Sequence, residues 1–282
     1  MKIIRTGAGS ITSEGVIQEL IKCGVDVICA DCNPDSYGLK KYGGITIPKP
    51  RVDIWQKQID DIFEETGADF MLPACDVEVL IWGRDSRVIT TNMRPETKWH
   101  EYQSFKNAGL KVPNILNGYL AYDAGISSGG KGIESRIFKE TGKLVVEYIS
   151  GTEYTVDVLC STKYPGVILC GGIRQRTETA AGKSIKGTTV YDEEIWADVV
   201  SFVTEYKVTG AFCMQCIKNQ RGSYWIDFNP RYGGGVNLSI RAGAPLVKNL
   251  IQELNGEDVE STGCIKNELT MYRYLTEVYE CI

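Results

Sequence analysis

Asp227, Asn229 and Arg231 recur at every second position in Tyr224-Trp225-Ile226-Asp227-Phe228-Asn229-Pro230-Arg231-Tyr232, so a carboxylate, an amide and a guanidinium alternate along one run. In an extended strand, side chains two residues apart share a face, and the three polar groups converge. Oxygen-bearing side chains gathered in this way suit a hard cation. Pro230 has no amide to donate, which ends the ladder. Upstream, Gly210 to Lys218 reads as a second strand, and the turn residues Asn219-Gln220-Arg221-Gly222 join the two as a hairpin. One face of that hairpin is expected to carry Phe212, Met214, Cys216, Tyr224, Ile226 and Phe228, and the other Gln215, Asp227 and Asn229.

The hairpin resembles that of the ATP-grasp superfamily, in its carbamoyl phosphate synthetase-like, carboxylate-amine ligase branch. The motif there is an acidic residue, a spacer and Asn-Pro-Arg, preceded across the hairpin by Gln, Glu or Asp; Asp227, Asn229, Arg231 and Gln215 hold those positions. The resemblance implies that Gln215, Asp227 and Asn229 ligate magnesium, or manganese in its place, against the phosphates of ATP. It implies a catalytic role for Arg231 in steadying the transferred phosphoryl group, with Gly233 to Gly235 leaving room for substrate beside it.

Further segments carry the same resemblance. Lys98, on a helix read over Glu96 to Ala108 and closed by Gly109, corresponds to a lysine that reaches the nucleotide phosphates; a solvated helical lysine is the other reading. Ser128, Gly129, Gly130 and Lys131 look like the loop covering the phosphates, where glycines admit backbone amides to close approach. Glu147, Tyr148 and Ile149 match the hinge whose backbone meets adenine, with Val145 and Ile149 as apolar walls and Glu153 on the ribose hydroxyls. Arg174 and Arg176 lie where related enzymes direct arginines at the phosphates or the acyl intermediate; Arg174 is taken as catalytic and Arg176 is equally read as solvated. Arg241 is placed toward the acceptor.

The pattern has gaps. A Lys-Pro pair normally precedes the glycine-rich loop, and its positions fall here near Asp123 and Ala124. The lobe from Pro113 to Glu147 is short. Either the chain is a reduced member or lid residues lie outside this sequence; persistence of the other motifs favours the second.

The elements that must position these groups give a mixed α/β reading. Lys2 to Thr6, Ser13 to Cys23, Val25 to Asp31, Val52 to Thr66 and Asp69 to Pro73 alternate strand and helix, the pattern of a parallel sheet. The expected fold is a Rossmann-like pre-ATP-grasp domain over residues 1–91, then an ATP-grasp α+β domain over 92–282 with a shortened nucleotide lobe at about 119–149. Gly7-Ala8-Gly9 follows the first strand, but Ser10-Ile11-Thr12 supplies no third glycine, so a nicotinamide dinucleotide is the weaker option. Asp76 and Glu78 match an acidic pair of the acceptor pocket, or else a solvated loop. A helix is read from Asp192 to Tyr206 and a helix-rich return from Asn237.

Composition narrows the class. A net charge of -5 without a basic run argues against a general nucleic-acid binder. No apolar run approaches spanning length and the start is strand-like, which together suggest a cytoplasmic protein, compatible with a homodimer. Cys29 and Cys32, like Cys213 and Cys216, have C-x-x-C spacing. The second pair falls in a strand, where residues three apart face opposite ways, so reduced thiols are expected. His100 is the only histidine, which leaves little for a Ser-His-Asp arrangement. The combined expectation is an ATP- and magnesium-dependent ligase acting on a small carboxylate and an amine; the alternative is a non-catalytic ATP-binding module.

Overall fold

The structure, a computed structural model, describes residues 1–116, 144–180, 183–274 and 277–279. The chain opens with β1 (Lys2–Arg5), α1 (Glu14–Lys22), β2 (Asp26–Asp31), α2 (Tyr37–Tyr42), β3 (Ile45–Thr46), α3 (Trp55–Thr66), β4 (Phe70–Leu72) and α4 (Asp76–Trp82). These strands form a four-stranded sheet in the order β3-β2-β1-β4, with every pair parallel. The central strand is apolar on both faces, Ile3 and Ile4 being fully buried, as a sheet covered by helices on each side requires. Asp76 and Glu78 are not in a solvated loop: they form the first turn of α4 and are buried. Glu78 accepts from the Thr6 hydroxyl at 2.5 Å and from the amides of Ala74 and Cys75 at 2.9 and 3.2 Å, so it closes the helix start and ties β4 to β1.

Next comes α5 (Lys98–Asn107), whose cap Thr97 accepts from the His100 amide at 3.1 Å. Gly109, at φ +77°, turns the chain out of it in a backbone conformation that side chains resist. Then follow β5 (Thr152–Cys160), β6 (Ile168–Ala180), β7 (Lys183–Val190), α6 (Glu193–Tyr206), β8 (Gly210–Asn219), β9 (Gly222–Asn229), α7 (Val236–Arg241), α8 (Leu246–Leu254), β10 (Gly263–Cys264) and β11 (Thr270–Tyr272). The second sheet runs β11-β7-β6-β5-β8-β9 with antiparallel neighbours along that path, and β10 adds to β6 in parallel. The whole is a mixed α/β fold of one parallel and one antiparallel sheet.

The antiparallel sheet divides its faces between two cores. Val156, Ile173, Phe212, Met214 and Phe228 pack beneath α5 and α6 with Phe105 and Phe202. On the other side, Leu159 and Leu169 join Leu20 of α1, Leu72 of β4 and Leu250 of α8 in a single cluster, so the two sheets share buried apolar volume.

The expected face of β9 needs correction. Gln215 pairs with Asp227 but Cys216 pairs with Trp225, so Ile226 is an extra residue at a β-bulge. The alternation shifts by one, and Trp225 rather than Ile226 or Tyr224 joins Phe228 in the core, its ring 6.2 Å from Phe105. Tyr224 is instead flanked by Lys111 and Arg221. The Trp225 amide donates to the Lys111 carbonyl at 2.9 Å, which covers part of the outer edge of β9.

Candidate active site

Strand register assembles the site. Asp227 stands opposite Gln215, Gln215 opposite Thr155, Thr155 opposite Arg174, and Arg174 opposite Thr189, one row across five strands. Asn229, Cys213 and Asp157 form the next row toward the parallel sheet. Because apolar residues alternate with these along every strand, Gln215, Asp227, Asn229, Glu153 and Arg174 occupy the face opposite the Phe212 core. Directly opposed residues bring Cβ atoms to about 4.5–5.5 Å, which puts Gln215 within reach of any group held by Asp227.

A cleft lies between this hairpin, α4 and the start of α5, lined among others by Asp76, Glu96, Lys98, Glu101, Asp227 and Asn229. The Asn229 amide nitrogen donates to Asp227 Oδ2 at 2.6 Å, and its oxygen accepts from Arg231 Nη2 at 3.0 Å. Arg231 in turn reaches across to α4, with Nε 2.9 Å from Asp76 Oδ1 and Nη2 donating to Oδ2 at 3.1 Å. Burial opposes the charge on Arg231, but Asp76 more than restores it and its pKa is raised. Asp227, Asn229, Arg231 and Asp76 thus form one chain of polar contacts from the antiparallel sheet to the carboxyl end of the parallel one.

Lys98 enters from α5. Its ammonium pairs with Asp227 and lies 3.0 Å from both oxygens of Glu101. Burial works against the ammonium, yet Glu101 and Asp227 together raise its pKa. Glu101 is 6% exposed, and burial, aided by the nearby Asp227, pushes its carboxyl up to about 8 despite Lys98. Glu101 was missed in the sequence. Its place one turn after Lys98 is the signal that would have found it.

Arg174 requires a different account from the one expected. It is 2% exposed and lies beneath the glycine run, donating through Nε and Nη2 to the two Asp157 oxygens at 2.6 and 2.9 Å. Ser239 donates to Asp157 Oδ2 at 2.6 Å. Gly233 and Gly235 pack against this ion pair. A Cβ on Gly235 would fall 2.1 Å from Arg174 Nη1, and one on Gly233 would fall 2.9 Å from Asp157 Oδ1. The glycines let the loop close over this internal ion pair. Arg241 also departs from expectation, donating to Gln18 of α1 at 3.4 Å on an exposed surface.

Glu153 pairs with Arg176, which also donates to Ser184 Oγ at 3.1 Å. Glu147 accepts from the Asn114 amide at 3.0 Å and its side-chain nitrogen at 2.8 Å, while the Glu147 amide donates back to the Asn114 carbonyl at 2.8 Å. Tyr148 is exposed and Ile149 buried. Ser128, Gly129, Gly130 and Lys131 lie outside the described residues, as does most of the lobe expected at about 119–149. The Gly7 to Gly9 turn is occupied by the chain: the Gly9 amide donates to Asp31 Oδ2 at 2.7 Å, and a Cβ on Gly9 would meet that of Ser36 at 2.6 Å. Cys213 and Cys216 are both buried, the latter in the Phe212 core, and Cys29 is buried while Cys32 is exposed.

The donor set can be tested against a cation. Asp227, Asn229 and Gln215 offer oxygen only, which suits magnesium or manganese, but supply a single carboxylate. Among the described residues no group of three or more His, Cys, Asp or Glu side chains could hold a metal alone. Magnesium is commonly held by one or two carboxylates together with substrate phosphates and water, so these residues fit an ion that arrives with phosphates.

The fold is like that of the ATP-grasp proteins. Residues 139–277 match the family described as ATP-grasp in the biosynthetic pathway with Ter operon. Among solved structures, the chain is similar to the biotin carboxylase–βγ-ATP complex from Campylobacter jejuni, with a TM-score of 0.65 and 16% identity over 92% of this chain and 72% of that one. It is similar to N5-carboxyaminoimidazole synthetase from Staphylococcus aureus, with a TM-score of 0.66 and 13% identity over 95% of this chain and 81% of that one. It also resembles Rhizobium etli pyruvate carboxylase, at a TM-score of 0.68 and 14% identity over 91% of this chain, while spanning 28% of that longer chain. No curated protein matches the sequence. No helix among the described residues is long and apolar enough to cross a membrane.

Proposed function

We propose that the chain is an ATP- and magnesium-dependent ligase that activates a small carboxylate as an acyl phosphate for attack by an amine or similar nucleophile. The observation that carries this reading is the facing of Asp227 and Gln215 across one ladder, continued by Asn229 to Arg231, in a cleft entered by Lys98. A carboxylate oxygen attacks the γ-phosphorus and the bond to ADP breaks. The amine nitrogen then attacks the acyl carbon, expels phosphate and gives up a proton. Asp227, Asn229 and Gln215 would hold the cation, which supplies positive charge to the phosphate oxygens when bound. Lys98 would neutralise phosphate charge, and Arg231 the charge on the transferred group.

In the same reading Glu147 to Ile149 border the adenine, Glu153 takes the ribose hydroxyls, and Ser128 to Lys131 cover the phosphates. A screen of ADP release over carboxylates paired with amines tests it. The expected result is magnesium-dependent ADP formation that needs a particular acid. The second reading, a non-catalytic ATP-binding module, rests on the lack of a Lys-Pro pair at Asp123 and Ala124. It would be favoured by ATP binding with no ADP formed across the screen.

A further inference from the structure

Lys98 stands where a metal on Asp227 would stand. Its ammonium contacts Asp227 Oδ1, and the Asn229 amide takes Oδ2 at 2.6 Å, so each carboxylate oxygen already faces a donor of this chain. Behind the ammonium lie both oxygens of Glu101 at 3.0 Å, from a side chain one turn along the same helix. That i,i+3 spacing lets the ammonium swing between the two acids while it keeps its helical partner. A divalent ion bound to Asp227 would sit about 2.0–2.1 Å from an oxygen. An ammonium on the same oxygen would face it at van der Waals range, where like charges at an effective dielectric near 20 repel by several kcal/mol.

We propose that Lys98 is the resident counter-ion of Asp227, displaced when the metal arrives with nucleotide phosphates, and that Glu101 is the positioning residue to which the ammonium withdraws. The inference rests on the ligase reading only in taking Asp227 as a metal ligand. It makes the cation and Lys98 competitors. Free metal binds weakly, and the phosphates relieve the competition by delivering the ion to Asp227 while Glu101 holds the displaced ammonium.

The test is a titration with Mn2+ followed by water-proton relaxation, without and with ATP. Without ATP, wild type is expected to bind weakly, and Lys98→Met about tenfold tighter or more, as the Coulomb repulsion removed implies. Adding Asp227→Asn to Lys98→Met should abolish the gain. Should Lys98→Met not fold, Lys98→Met/Glu101→Gln also replaces the buried acid left without its partner and should show the same gain. Glu101→Gln alone should move the other way, weakening Mn2+ binding in the presence of ATP by about tenfold, because the ammonium then has no acid to withdraw to. A general loss of structure would not shift the two single variants in opposite directions.

The counter-ion role is overturned if wild type binds free Mn2+ as tightly as with ATP, or if no folded variant lacking Lys98 gains affinity. Unchanged metal binding in Glu101→Gln would overturn the positioning role. A wild type that binds no ATP at any Mn2+ concentration would sink the ligase reading instead, and a gain in Lys98→Met would still stand.

Discussion

Arg174 and Asp157 meet side-on across β5 and β6, two donors on two oxygens at 2.6 and 2.9 Å, with the backbone of Gly235 lying against the guanidinium. This pair is buried, and burial alone would discourage the arginine from ionising; Asp157 reverses that and raises its pKa. A buried pair is weak evidence of net stabilisation, but breaking one half of it leaves a charge without compensation. Asp157→Ala is expected to cost about 3–5 kcal/mol. Gly235→Ala forces a methyl into space held by Nη1 and should cost about 1–3 kcal/mol. Urea unfolding of both variants checks the order, and a Gly235→Ala protein as stable as wild type would mean that the loop has slack.

Asp227→Ala should abolish magnesium-dependent ATP binding while leaving the fold intact. The side chain is on the polar face of β9, outside the Phe212 core, and Lys98 keeps Glu101 as a partner when it is removed. Calorimetry with Mg-ATP decides the matter; undiminished affinity would mean that the cation sits elsewhere.

Arg231→Met should retain ATP binding and lose ADP formation in the presence of the correct acid and acceptor. Loss of one preorganised contact to developing charge typically costs about 2.7–4 kcal/mol of barrier, or roughly a hundred- to a thousand-fold in rate. Lysine should rescue little, because its single charged end cannot bridge Asp76 and Asn229 as the guanidinium does. Equal losses in binding and turnover would point to a structural role.

Asp192 offers a test by pH away from the site. Its carboxylate caps α6 by accepting from the Ile195 amide at 3.1 Å and pairs with Lys218 at 2.7 Å. Partial burial works to raise its pKa, but the Lys218 and amide contacts prevail and lower it below 3.8. A depressed pKa contributes stability that is present above the unfolded value and is lost as pH falls through the folded one. Asp192→Ala should therefore cost about 1 kcal/mol at neutral pH, with the deficit shrinking below pH 3.8. Denaturation curves at pH 7 and in acid give the comparison, and a deficit that grows in acid would contradict the assignment.

Much of this architecture was legible because it rests on local rules. The hairpin turn at Asn219 to Gly222, the strand-helix-strand order of β1, α1 and β2, and the end of α5 at Gly109 follow from residue types and spacing, and their limits fall within a few residues of the structure. The polar face of Gln215, Asp227 and Asn229 was legible for the same reason. What was not legible depends on meeting across distance. Arg174 reads as a cation in a strand until Asp157, 17 residues earlier, is seen to claim it. That Gly233 and Gly235 also make room for this arginine shows only once the loop is seen above it. Nothing in Tyr224 to Phe228 announces the bulge, since Trp225 and Ile226 are equally good core residues and only the partner strand chooses between them. Arg231 gave no sign of Asp76, 155 residues away on α4.

The bulge at Ile226 changes what kind of variation can tune this cleft. On either side of it, Trp225 and Phe228 stay with the apolar layer while Asp227 and Asn229 stay with the cleft. Deleting Ile226 would restore plain alternation without exchanging the two faces, yet would remove the added local twist that a bulge gives a strand. The reach from Asp227 to Lys98 is therefore adjustable by chain length: loss or gain of one residue at this point would re-aim the carboxylate while every polar side chain kept its identity.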